Sequence, residues 1–347
     1  MKMPLAGVIA LTLCCSFSFG QPPSKETRDP QITGVFVHAT IASLKTLIRE
    51  KYFDTSYIPR IEAALASSEQ HGDYAKADTL GILSTELTNT LYESSHDKHL
   101  FVLATETPKS HSTASSLSRT ERAGMENYGM KRAEILDGNI GYLQIMAFYH
   151  ADEGAPALEA AMNFVSHTDA LILDLRNNGG GSPDTAIQLL SYFFKQPNLP
   201  LLSILPRFGD TTIYSTQTAA VSYRDESRPL YVLVSGSSWS AGEAVPFVLQ
   251  ERHRAIIIGE KTAGAANPAS PWPINSALSV TIPFGHIESA VRRTNWEGTG
   301  VIPDIVVSPS RALDVAHVKA LETLMSSTTD SVKKQVLSHA LATAKTK

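Results

Sequence analysis

The sequence predicts an α/β fold: a largely parallel sheet covered by helices, preceded by a small helical domain. Three observations carry this expectation. The runs Leu171–Leu175, Leu230–Val234 and 255–259 are short and apolar but for Asp174, as strands buried on both faces are. The first two are each followed by a turn of small residues and then a helical pattern, and strands alternating with helices give a parallel sheet. Between residues 31 and 95, apolar residues instead recur at three- and four-residue steps, the period of helices packed on one face.

At 347 residues the chain exceeds one average domain, so one large or two unequal domains are expected. A net charge of -4 offers no basic face for nucleic acid. Residues 1–20 read as a secretory signal: Lys2 supplies the positive start, and Leu5 to Leu13 is an apolar run too short to span a bilayer. Ser18 and Gly20 place cleavage before Gln21. A lipid anchor through Cys14 is the weaker reading, because Leu13 is larger than such signals accept. Both cysteines, Cys14 and Cys15, leave with the segment. The exported chain then has no disulfide, no thiol nucleophile, no thiolate metal site and no integral membrane segment.

Residues 21–30 are polar and read as a flexible linker. In the helical domain, 31–95, Leu44, Leu47 and Ile48 share one face of a first helix; Ile61, Ala64 and Leu65 mark a second. Leu80, Leu83, Leu87 and Leu91 mark a third, with turns near Asp54 and Gly72. Residues 94–100, SSHDKHL, break the pattern and lead into a strand, Leu100 to Ala104. A Ser/Thr-rich loop over 105–122 follows, then a strand from Ile140 to Phe148 and a helix from Ala155 to Val165. The 171–175 strand delivers Asn177-Asn178-Gly179-Gly180-Gly181-Ser182. Ser182 can cap the next helix, with Pro183 at its first position and Ile187, Leu190 and Phe194 on its buried face. After the 230–234 strand comes a helix over about 240–250, bent at Pro246, and then the 255–259 strand. Leu278 to Pro283 and Gly300 to Val307 are strand-like. The core is thus expected over 96–310, with one or two amphipathic helices in 311–347.

Chemistry concentrates in a few places. Ser240 sits at a strand-to-helix turn in LYVLVSGSSWSAGE, where unpaired N–H groups and the helix dipole favour an activated nucleophile, although such serines also simply cap helices. The NNGGGS loop suits a phosphate or an oxyanion, but it is no dinucleotide fingerprint, and Gly259-Glu260-Lys261-Thr262 is no P-loop. His96 and His99 flank a helix exit with no HExxH motif or carboxylate cluster, so no metal and no cofactor are expected. One histidine as general base is the sharper use. Glu297 is a carboxylate beside Trp296 in a turn, a setting for a shifted pKa, a fixed partner or a cap.

Six stretches stand in order: HDKHL (96–100), ENYGMKRAEILDGNIGYLQ (126–144), LILDLRNNGGGS (171–182), LVSGSSWSAGEAVPFVLQ (233–250), IIGEKTAGAANP (257–268) and TNWEGTGVIPDIVV (294–307). Together they resemble the serine peptidases that include the tail-specific (C-terminal processing) proteases, tricorn protease and interphotoreceptor retinoid-binding protein. The resemblance implies a spiral core like that of Clp protease and crotonase, with a helical N-terminal domain. It puts Ser240 at the nucleophile. The lysine base of one branch would fall at Ala265, and Lys261 comes four residues early. The PDZ-less branch using Ser, His and Glu fits better, with Ser240, His99 and Glu297. Backbone N–H groups of Gly179, Gly180 and Ala241 would take the oxyanion, and Ser95 would be a bridging hydroxyl. About forty residues separate His99 from Asn139, too few for a PDZ domain. The implied function is an exported serine endopeptidase, secreted or periplasmic, acting on peptides or unfolded proteins. A binder of hydrophobic ligands and an esterase are the alternatives; oligomeric state is left open.

Overall fold

The computed structural model describes residues 32–105, 119–217 and 220–346. The expected signal, the linker and residues 106–118 of the Ser/Thr-rich loop lie outside the described residues. In chain order the elements are α1 (Gly34–Lys51), α2 (Ile58–Gln70), α3 (Leu80–Ser95), β1 (Phe101–Ala104), α4 (Arg119–Met125), β2 (Met130–Leu136), β3 (Ile140–Ile145), α5 (Ala151–Phe164), β4 (Ala170–Asp174) and α6 (Pro183–Ser191). They continue with β5 (Pro200–Pro206), β6 (Thr212–Ser215), β7 (Leu230–Val234), α7 (Ala241–Glu251), β8 (Ile256–Gly259), β9 (Ala269–Pro273), β10 (Leu278–Pro283), β11 (Gly285–Ser289), β12 (Ile305–Val306), α8 (Pro309–Ser327) and α9 (Ser331–Ala344).

One compact unit combines residues 32–96 and 100–105 with the later segment 269–282. Its three helices start where the sequence offers caps: Thr33 accepts from Phe36 N and Thr79 from Ile82 N. Leu44, Ile48, Ile61, Leu65, Leu83, Leu87 and Leu91 are fully buried, so the helical faces read from the sequence are the faces that pack. They share a core with Val102 of β1 and Leu278, Val280 and Ile282 of β10. Strand order there is β1-β10-β9, with β1 antiparallel to β10. Residues 269–282, expected in the core, thus return to the helical unit.

The second unit takes residues 97–99, 119–268 and 283–346, as far as they are described. Its six-stranded sheet runs β12-β8-β7-β4-β3-β2, parallel except for β2 on β3. Alternation along the strands divides the apolar runs between two faces. Leu171, Leu173, Val232 and Ile257 pack with α5, α6 and α7, while Ile172, Tyr231, Leu233 and Ile258 pack with α8 and α9. A second sheet, β11-β5-β6, is antiparallel. No described helix is long and apolar enough to cross a membrane.

Several boundaries differ from expectation. The third strand ends at Ile145 rather than Phe148, and α5 begins four residues early at Ala151, with Pro156 inside it. Gly300 to Val307 is strand only at Ile305–Val306: Gly300 takes φ 69° and donates its N–H to Trp296 O, so the chain there turns instead of extending. α7 continues through Pro246 to Glu251.

Candidate active site

The carboxyl ends of β4, β7 and β8 deliver the loops that matter, as they do in open parallel sheets. At the end of β4, fully buried Asp174 accepts from Tyr142 Oη (2.6 Å) and from Arg176 Nε (2.9 Å), and Arg176 also reaches Pro309 O. Burial and that contact with Asp174 both hold the Tyr142 phenol up, in its donating form. The exit of the strand is thereby fixed. Asn178 follows, with no exposed surface, and works in three directions. Its Nδ2 donates to Ile145 O at 3.0 Å, its Oδ1 accepts Gly180 N at 2.8 Å, and its carbonyl accepts Trp239 N at 2.9 Å.

That last bond ties the β4 loop to the serine turn. Of the turn's serines, Ser235 and Ser238 are buried anchors: Ser238 Oγ donates to Leu175 O and accepts from Ser235 N. Ser240 is only partly buried. Gly242 N donates to Trp239 O at 2.8 Å, closing a turn in which Ser240 has φ 53° and ψ −119°. Those are the angles of the first central residue of a type II′ turn, a place that ordinarily requires glycine. A non-glycine residue there costs about 1–3 kcal/mol. The turn is also packed against bare backbone. A Cβ on Gly180, whose φ is 86°, would lie 2.9 Å from Ser240 Cβ; one on Gly242 would lie 2.5 Å from Asn178 Oδ1.

Two carboxylates then divide four consecutive amides of the segment after β8. Glu243, wholly buried in the first turn of α7, accepts Ser240 N (2.9 Å), Thr262 Oγ1 (2.5 Å), Gly264 N (2.6 Å) and Ala265 N (2.9 Å). Burial pushes its carboxyl up further than these bonds pull it back, so it stays raised. Thr262 Oγ1 itself accepts Val301 N, so its proton faces Glu243, and all four partners are donors. The group therefore works as an ionised acceptor. Glu297 Oε2 accepts the next two amides, Ala266 N (2.6 Å) and Asn267 N (3.0 Å). Its loop is held by Trp296, whose Nε1 donates to Ala265 O and whose ring lies 4.9 Å from that of Phe247.

Asp97 and His99 complete the group. Asp97 Oδ1 accepts His99 N at 3.0 Å, and Oδ2 accepts Asn267 Nδ2 at 3.0 Å. Donor atoms of Asp97, His99 and Glu297 lie within 4.8 Å of one another. Burial pushes the His99 ring down to about 4, which keeps it neutral and able to accept a proton. Burial, then the charge of Asp97, push Glu297 up to about 7. His99 Nδ1 and Glu297 Oε1 are buried with no hydrogen-bond partner among the described residues. The His99 ring stands edge-on to Trp239, centroids 5.5 Å apart, which sets it beside the residue preceding Ser240. No hydrogen bond links it to Ser240 Oγ.

Some expectations need correcting. The N–H of Gly179 donates to Met146 O at 2.9 Å, beyond the end of β3, and that of Gly180 to Asn178 Oδ1 within the loop, so both are engaged. Ala241 is the remaining donor of the three, at the first position of α7, where an N–H has no helical partner. Ser95 Oγ donates back to Leu91 O inside α3 at 2.7 Å, a bond within its own helix. Ala265, where a lysine base would stand, is buried, and Lys261 is exposed. Sequence reasoning missed Asp97, Asn178 and Asn267 and used Glu243 only as a spacing mark. The first had a visible signal, an acid two residues before His99; the partners of the others are far away in the chain.

Comparison with known proteins identifies the family. Residues 139–307 match peptidase family S41, and residues 35–136 match the N-terminal domain of peptidase S41 in eukaryotic IRBP. A carboxy-terminal-processing protease of Bartonella bacilliformis is 31% identical over 180 residues, 50% of this chain and 39% of that protein. The chain therefore spans well under half the length of this curated relative. A lipoprotein from Streptococcus agalactiae has the same fold, with TM-score 0.56 at 13% identity over 89% of this chain and 100% of the other. A CPAF variant does too, with TM-score 0.55 at 13% identity over 87% and 97%. With the two family segments in series from residue 35 to 307, the chain belongs to peptidase family S41.

Proposed function

We propose that this chain is an exported serine endopeptidase whose nucleophile is Ser240, whose general base is His99 and whose orienting carboxylate is Glu297. The observation that carries the proposal is the backbone of Ser240, a non-glycine residue held at φ 53° at the mouth of α7 with its side chain partly open. A protein that only bound hydrophobic ligands would have no use for that strain. The signal-like residues 1–20 support export.

In the reaction, neutral His99 takes the Ser240 Oγ proton as Oγ bonds to the scissile carbonyl carbon. The charge developing on the carbonyl oxygen is received by Ala241 N–H and the positive end of α7. Glu297, anchored through one oxygen by two amides, turns its other oxygen to the imidazolium. The C–N bond then breaks as His99 returns the proton to the leaving amine, and water repeats the sequence on the ester. Peptides and unfolded segments are the substrate class. A fluorophosphonate probe tests the nucleophile: fluoride leaves as an Oγ–P bond forms, and peptide mapping should place the adduct on Ser240. Absence of labelling in the folded wild-type chain, or labelling that persists in Ser240→Ala, would overturn the assignment.

A further inference from the structure

Asp97, His99 and Glu297 come from opposite ends of the chain, and no metal motif announces them, yet together they have the donor set of a transition-metal site. One imidazole and two carboxylates offer donor atoms within 4.8 Å of one another. Ligands of a tetrahedral zinc ion stand about 3.4 Å apart, so a small closing movement suffices. Two of the ligands show an unmet demand. His99 is 8% exposed and its Nδ1 has no partner; Glu297 Oε1 is buried and has none either.

The surroundings already do what the outer shell of a metal site does. Asp97 is oriented by His99 N and Asn267 Nδ2, and Glu297 by the amides of Ala266 and Asn267. Asn267 thus touches both carboxylates, through its side chain and its backbone.

We propose that Asp97, His99 and Glu297 bind one divalent transition-metal ion of the zinc class, with solvent in the fourth position, and that this ion holds the peptidase off. The inhibitory half rests on the assignment of His99 as base: a ring nitrogen bound to the metal and a Glu297 oxygen turned to it are withdrawn from Ser240. The metal-binding half does not rest on that assignment.

The test is equilibrium zinc binding to the folded chain against a competing chelator, run beside peptidase assays in metal-free buffer. Wild type and Ser240→Ala should each bind one zinc, whether or not the chain hydrolyses the peptides offered. Asp97→Asn and His99→Gln, checked for folding by their thermal melts, should each weaken binding more than about tenfold. Wild-type turnover should fall as the zinc site fills and return on adding chelator. Absence of stoichiometric binding to wild type would overturn the proposal, as would affinities unchanged in both variants, since the zinc would then sit elsewhere. Stoichiometric binding with undiminished turnover would overturn the inhibitory half alone.

Discussion

At Ser240 a strained backbone, a cap and the proposed nucleophile converge on one residue. Its φ of 53° persists because its neighbours over-determine it: Glu243 takes its N–H, Asn178 holds Trp239, and Gly180 leaves no Cβ in its way. Gly180→Ala should therefore displace the nucleophile. The expected result is a kcat lower by about 100-fold in a chain that still melts cooperatively, read from peptide hydrolysis and calorimetry in parallel. Glu243→Gln should act differently. All four partners of Glu243 are donors, so an amide NH2 would face at least one donor and cost about 1–3 kcal/mol in urea unfolding. A neutral effect would mean that the carboxylate does not hold the turn. Ser240 itself was legible, because a serine between an apolar strand and a helix start is a local pattern. Glu243 was legible only as a spacing, because three of its four partners lie about twenty residues downstream in a loop whose path no local propensity fixes.

Among the elements, legibility follows burial. β4 and β7 were readable almost to the residue because strands buried on both faces are apolar nearly throughout, Asp174 at the end of β4 being the one charged residue. β5 and β6 were not: most of their residues are partly or fully exposed, Ile213 is 61% exposed, and the alternation that would mark a strand is weak. The 300–307 stretch looked like a strand because Val301, Ile302, Ile305 and Val306 are β-formers, but Gly300 and Pro303 turn it into a loop knit to Thr262. Leu173→Ala in the centre of β4 should cost about 2–5 kcal/mol in unfolding, with the kcat of the remaining folded protein little changed. The turn before β7 carries a pH signature. Burial raises the Asp225 carboxyl, but N–H groups of Arg228 and Ser227, the Ser227 hydroxyl and the Arg228 charge outweigh it, and its pKa is lowered. A lowered carboxyl stabilises the fold above the ordinary carboxylate range and loses that contribution as pH falls below it. Melting temperature should thus fall less steeply with acid in Asp225→Asn than in wild type; parallel curves would show that the turn carries no linkage.

Across the whole molecule, the site is a product of chain topology. Ser240 follows β7, the glycine loop follows β4, and the segment of four amides follows β8, all at the carboxyl ends of parallel strands. His99 and Glu297 arrive from residues nearly two hundred positions apart, which is why local pattern could not join them and only the ordered set of family-like stretches did. The same assembly brings in Asp97, which the HDKHL stretch carries without a role, and with it both the raised Glu297 and the proposed zinc-class ligand set. If Ser240 and His99 act as the single unit proposed for them, a double-mutant comparison of peptide hydrolysis shows it. Ser240→Ala and His99→Ala should each lower kcat/KM by more than about 1000-fold, and the double variant should be no worse than the poorer single one. Losses that multiply, or a His99→Ala enzyme with undiminished turnover, would show that the two residues do not act together.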